Sequence, residues 1–64
     1  MELKIEGMTC GGCAKAVTGA IRSVDPNARI EADLAARTVR VETTATPAVF
    51  QLVLDEAGYP ATAN

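Results

Sequence analysis

Apolar and polar residues alternate strictly over Glu2-Leu3-Lys4-Ile5-Glu6-Gly7, with Leu3 and Ile5 on one side and Glu2, Lys4 and Glu6 on the other. A period of two is that of a strand with one wet face, and Gly7 ends it. From Cys13 to Val24 the period changes. Cys13, Val17, Ala20, Ile21 and Val24 fall on one face of a helix, with Lys15, Gly19 and Arg22 opposite. Asp25-Pro26-Asn27 stops it, because the residue before a proline disfavours the α region. Alternation returns over residues 28–34, with Ala28, Ile30, Ala32 and Leu34 expected inward, and over 38–43, with Val39, Val41 and Thr43 inward. The short link Ala35-Ala36-Arg37 makes these two an antiparallel hairpin, with Arg29, Glu31 and Asp33 facing Arg40 and Glu42 across the outer face.

Thr46-Pro47 has the form of a helix start, with Thr as N-cap and Pro at the first helical position. Phe50, Val53, Leu54 and Ala57 supply the apolar stripe, and Gly58 supplies the left-handed stop. Residues 59–63 are expected to form a last strand, and Pro60 restricts it to an edge. The order β-α-β-β-α-β, with every strand and both helices one-sided, predicts an α+β ferredoxin-like sandwich. Four antiparallel strands carry two helices on one face.

Composition narrows the function. A chain of 64 residues is expected to be one domain over 1–64, with an aliphatic core, since it has one Phe, one Tyr and no Trp. A net charge of −2 with six basic residues argues against nucleic-acid binding. No apolar run is long enough for membrane insertion, and no secretory signal follows Met1. With Met1 as the start, the expected compartment is the cytoplasm, where a C-x-x-C pair is metal-binding or catalytic rather than a structural staple.

That pair is Cys10 and Cys13, in Gly7-Met8-Thr9-Cys10-Gly11-Gly12-Cys13. The element order puts Cys10 on the loop after the first strand and Cys13 in the first helical turn. Partial positive charge at a helix N-terminus there stabilises thiolates. Gly11 and Gly12 are expected to let the loop fold tightly and leave the sulfurs open. With no histidine, the chain cannot build the usual four-ligand zinc site. Calcium and magnesium want several oxygens. Two soft thiolates suit Cu(I), and equally Ag(I) or Hg(II). The competing reading is a small C-x-x-C thiol oxidoreductase of thioredoxin type, although such a fold needs a longer chain. No histidine, no carboxylate pair beside the thiols and no phosphate-cradling glycine loop points to other enzyme chemistry.

Gly7-Met8-Thr9-Cys10-Gly11-Gly12-Cys13, with Ala16-Val17 after it and Ala57-Gly58-Tyr59 behind the second helix, resembles the heavy-metal-associated domain along the whole chain. Within that family it is most similar to small bacterial cytosolic copper chaperones. The resemblance implies that Cys10 and Cys13 hold Cu(I), which passes by thiolate exchange to a copper-transporting P-type ATPase or a copper-responsive regulator. The same domain serves as a module of such ATPases and as a Hg(II) carrier. The resemblance further implies a buried Met8 under the loop, Thr9 within it, and Tyr59 beside the metal as a tuning contact. It also implies a monomer without metal and allows a metal-bridged homodimer. Many relatives carry Ser, Ala or Gln at position 11 and His at position 12; two glycines here remove that third donor. Lys15 and Arg22 are expected to stand beside the loop as a basic docking patch.

Overall fold

In a computed structural model, which describes residues 1–63, the elements are β1 (Glu2–Lys4), α1 (Gly11–Val24), β2 (Arg29–Asp33), β3 (Thr38–Glu42), α2 (Pro47–Glu56) and β4 (Thr62–Ala63). The strands form one antiparallel sheet in the order β2-β3-β1-β4. Leu3 pairs with Val39 on one side and Ala63 on the other, and β2 meets β3 with Ile30 opposite Val41. This is the ferredoxin-like arrangement that the alternation predicts.

The core lies between the sheet and the two helices. Leu3, Ile5, Met8, Val39 and Val41 from β1, β3 and their extensions pack with Val17 and Ile21 of α1 and Phe50 and Leu54 of α2. All nine side chains are fully buried. Burying one such side chain stabilises by roughly 1.5–3 kcal/mol. Ile5 lies beyond the end of β1 yet keeps its place, because its N–H donates to the Arg37 carbonyl at 2.8 Å. The chain then turns, with the Met8 N–H donating to the Ile5 carbonyl at 3.1 Å. Met8 is thereby driven into the core directly under the start of α1.

The C-terminus of α2 closes in a Schellman motif. Gly58 has φ 89°, its N–H donates to the Asp55 carbonyl at 3.1 Å, and the Tyr59 N–H donates to the Leu54 carbonyl at 2.8 Å. Two reversed hydrogen bonds thus fix the direction in which Tyr59 leaves the helix. Gln51 Nε2 donates to the Ala61 carbonyl at 3.2 Å and holds the following segment against α2.

Several sequence expectations are corrected. Helix α1 begins at Gly11, two residues before Cys13. Ala32 and Leu34 are exposed, not inward: Ala32 lies on β2, an edge strand, and Leu34 lies in the turn that follows β2. Thr43 lies past the end of β3, where its hydroxyl donates to Asp25 Oδ2 and accepts from the Ala45 N–H at 3.2 Å. Ala57 is the exposed C-cap of α2 rather than part of its buried stripe. The last strand is two residues long, with Pro60 outside it, and takes the sheet edge beside β1. The Arg29–Glu42 and Glu31–Arg40 alignments occur as expected, and Arg40 also pairs with Glu2 at 3.7 Å.

Candidate metal centre

Cys10 is the N-cap of α1, in extended backbone with φ −147° and ψ 169°. Its carbonyl accepts the first helical hydrogen bond, from the Ala14 N–H at 3.0 Å. Cys13 lies three residues on, in the first turn. N-cap and first-turn side chains share one end of the helix, so the spacing alone brings the thiols together. The sulfurs are 3.1 Å apart and both are free thiols. Cys10 is exposed; Cys13 is half-buried against the core.

Cys13 has its thiol lowered from the ordinary 9.0 to about 7. The largest cause is the Tyr59 hydroxyl, which donates a hydrogen bond to the sulfur; the Cys10 side chain and the Thr9 backbone follow. Tyr59 is raised in turn, because ionising it would remove that bond and set two negative charges side by side. The helix terminus is therefore not the largest cause. Tyr59, which the family resemblance implies as a tuning contact, is the specific donor, delivered from the far end of the chain by the Schellman turn. Gln51, which ties down the segment behind Tyr59, carries no signal in the sequence.

The double glycine is not what folds the loop. Gly11 and Gly12 are the first helical residues of α1, and neither has a positive φ. The turn therefore does not need them. Their effect is to leave space: a Cβ at Gly11 would meet nothing within 4 Å, and one at Gly12 would meet only Cys10 Sγ at 3.9 Å. Met8 is fully buried and Thr9 exposed, so of the loop residues Met8 anchors and Thr9 contributes backbone. Lys15 is exposed close to the loop. Arg22 is exposed too but sits in the last turn of α1, so it does not stand beside the loop. At 1.5 Å per residue it is about 16 Å further along the axis. There it complements the negative end of the helix dipole.

Among the described residues, no group of three or more His, Cys, Asp or Glu is placed to hold a metal. The arrangement therefore offers two sulfur donors and no third side-chain ligand of those types. Among the described residues, no helix is long and apolar enough to cross a membrane.

The sequence matches the heavy-metal-associated domain over residues 2–60, and the chain belongs to that family. No curated protein matches it. Among solved structures it is similar to a gold-binding protein, at 41% identity and TM-score 0.92, covering 95% of this chain and 94% of that one. It is also similar to the copper chaperone Atx1 from Synechocystis in a trimeric form, at 26% identity and TM-score 0.92, covering 97% and 98%. A protein of Agrobacterium tumefaciens determined from sparse NMR data and evolutionary couplings is 38% identical, with TM-score 0.83 and 94% of each chain covered.

Proposed function

We propose that this chain is a Cu(I) metallochaperone in which Cys10 and Cys13 hold the ion as cargo and release it by thiolate exchange. The observation that carries the reading is the pair of free sulfurs 3.1 Å apart at an exposed helix start. Soft thiolates favour Cu(I), which accepts two ligands, and an open clasp admits an acceptor's cysteines before the first pair lets go. The Atx1 similarity supports the same cargo. The acceptor is a copper-transporting P-type ATPase or a copper-responsive regulator, and the work is carriage in the cytoplasm, not catalysis.

Titration of the reduced chain with Cu(I) against a competing chelator tests this. One Cu(I) per chain, or one bridging two chains through four sulfurs, is expected, with loss in both Cys10→Ser and Cys13→Ser. Copper binding that survives both substitutions overturns the assignment; weak binding with disulfide-reductase activity turns it to an oxidoreductase. Lys15 is proposed as a docking charge, so Lys15→Glu should slow transfer to the acceptor at unchanged Cu(I) affinity. Transfer at the native rate removes that role.

A second soft ion has support of its own. A gold-binding protein shares 41% identity over 95% of this chain, and the same two thiolates suit Au(I). Competition of Au(I) with bound Cu(I) ranks the two.

A further inference from the structure

The edge of β2 is patterned to pair with a copy of itself. Among the described residues, β2 has a strand on one side only, β3. Antiparallel ladders alternate, so every second residue of an edge strand turns its N–H and C=O away from the sheet. Val41 settles which residues do so. Its N–H donates to the Met1 carbonyl at 2.8 Å, and its carbonyl accepts from the Met1 amino group at 3.1 Å. Val41 thus bonds toward β1, and Ile30, which stands opposite it on β2, bonds toward the open side. Ala32 follows by alternation. The side chains at this edge are apolar on the helix side, with Ile30 half-buried and Ala32 exposed. On the outer face Arg29, Glu31, Arg40 and Glu42 line one shallow groove.

We propose that two copies of this chain join β2 to β2, antiparallel and centred on Ile30, so that their sheets continue as one. In that register Ile30 exchanges both backbone hydrogen bonds with Ile30 of the second copy. The Ala32 N–H reaches the Ala28 carbonyl of the second copy, whose own N–H is already given to the Asp25 carbonyl. On the outer face Arg29 of each copy falls opposite Glu31 of the other. Within one chain Glu2 stands opposite Arg40, Arg40 opposite Glu31, and Arg29 opposite Glu42. Pairing therefore joins these into a row that runs Glu2, Arg40, Glu31, then Arg29 and Glu42 of the second copy, alternating in sign at every step. The two-fold axis makes a second such row. Sliding the strand two residues either way sets Glu31 against Glu31 or Arg29 against Arg29. A slip of one residue turns apolar side chains against charged ones. Both β1 and β2 run antiparallel to β3, so β2 runs with β1 toward the metal loop. The two metal loops of the dimer then lie at opposite ends, outside the contact, and the association needs no metal. One strand edge is small beside the roughly 1,200–2,000 Å² of a stable interface, so the chain is single when dilute and pairs when concentrated.

The test is the tumbling time of the reduced chain, read by NMR relaxation with a metal chelator present, from micromolar to millimolar concentration. It should rise toward that of a chain twice the mass, and equally so in the double variant Cys10→Ser, Cys13→Ser. Arg29→Glu and Glu31→Arg should each weaken pairing at least about tenfold, because each sets two like-charged pairs across the axis. An equimolar mixture of the two variants should pair at near-native strength, since only the mixed dimer restores opposite charges. Each variant carries the same altered ladder alone or mixed, so this rescue cannot come from folding. Ala32→Pro removes an N–H that β3 does not use and should also keep the chain single. A native chain that stays single at millimolar concentration, pairing that vanishes with the cysteines, or a mixture no stronger than its components overturns the proposal. Pairing that both charge variants keep places the contact elsewhere, as on the exposed Val49 and Leu52 of α2, and overturns it too.

Discussion

The two helix starts solve the same problem in different ways. Each leaves its first backbone N–H groups without helical partners, and neither N-cap side chain makes a capping hydrogen bond. At α2 the chain is otherwise well prepared. Pro47 is preset for the helix, Ala45 before the cap packs against the core, and the Ala45 N–H is taken by Thr43. At α1 the N-cap is a cysteine and the next two residues are glycines, while neither helix has an acidic side chain in its first turn. Every local choice that would strengthen that terminus is missing. What stands there is bare backbone and two thiols, held from below by Met8 and from the side by Tyr59. The difference shows that the metal loop takes its order from tertiary contacts rather than from its own sequence.

The largest expected effect tests the support from below. Met8→Ala removes a fully buried side chain at the base of the loop. It should cost about 2–5 kcal/mol in urea unfolding. In a domain whose total stability is of order 5–15 kcal/mol that is a large share. If the loop depends on its tertiary anchor, metal affinity should fall together with stability at temperatures where the variant is still folded. Retained affinity in a folded, destabilised variant would show that the loop orders itself.

Tyr59→Phe tests the support from the side. It keeps the ring and removes the hydroxyl that is the largest cause of the lowered Cys13 thiol. The thiol should then titrate above about 7, read by thiolate absorbance in the ultraviolet. The sign for stability follows from the depressed value. The folded thiol ionises near 7 and its unfolded counterpart near 9.0, so the contribution is fully present above 9.0 and is lost as the pH falls through about 7. The reduced metal-free protein should therefore gain melting temperature from pH 7 to 9, and Tyr59→Phe should flatten that rise. Metal affinity should weaken below pH 7, where protons compete with the ion for sulfur. An unchanged titration in the variant would return the shift to the Cys10 side chain and the backbone of the loop.

These two supports were not equally legible in the sequence. Leu3, Ile5, Val17, Ile21, Val39, Val41, Phe50 and Leu54 announce the fold through period alone, and all are buried. The thiols announce themselves by spacing. Gly58 marks the turn that aims Tyr59, but the hydroxyl-to-sulfur contact joins residues 46 positions apart, a distance no local pattern encodes. Ala32 misled because alternation shows which face a residue takes, not whether anything covers it at a sheet edge, and Leu34 misled because the turn begins there, one residue before the expected link. Arg22 misled because a shared helix face was read as nearness, when the two charges lie at different heights along α1.

The smallest effect bears most directly on the contrast between the helix starts. Gly11 is exposed, helical and without a positive φ, and a Cβ there would meet nothing within 4 Å. Alanine fits that backbone and restricts the unfolded chain more than glycine does. Gly11→Ala should therefore raise stability by about 0.4–1 kcal/mol, seen as a higher urea midpoint at unchanged slope. The added methyl also stands next to Cys10 in the chain, on the open side of the metal loop, where an acceptor's cysteines must enter. Cu(I) affinity should thus stay constant while transfer slows. Were the helix start already at its local optimum, the midpoint would stay or fall, and the bare glycines would need a reason other than access. A gain in stability with no loss of transfer would separate the two, leaving the terminus under-built but not for the sake of the incoming ligand.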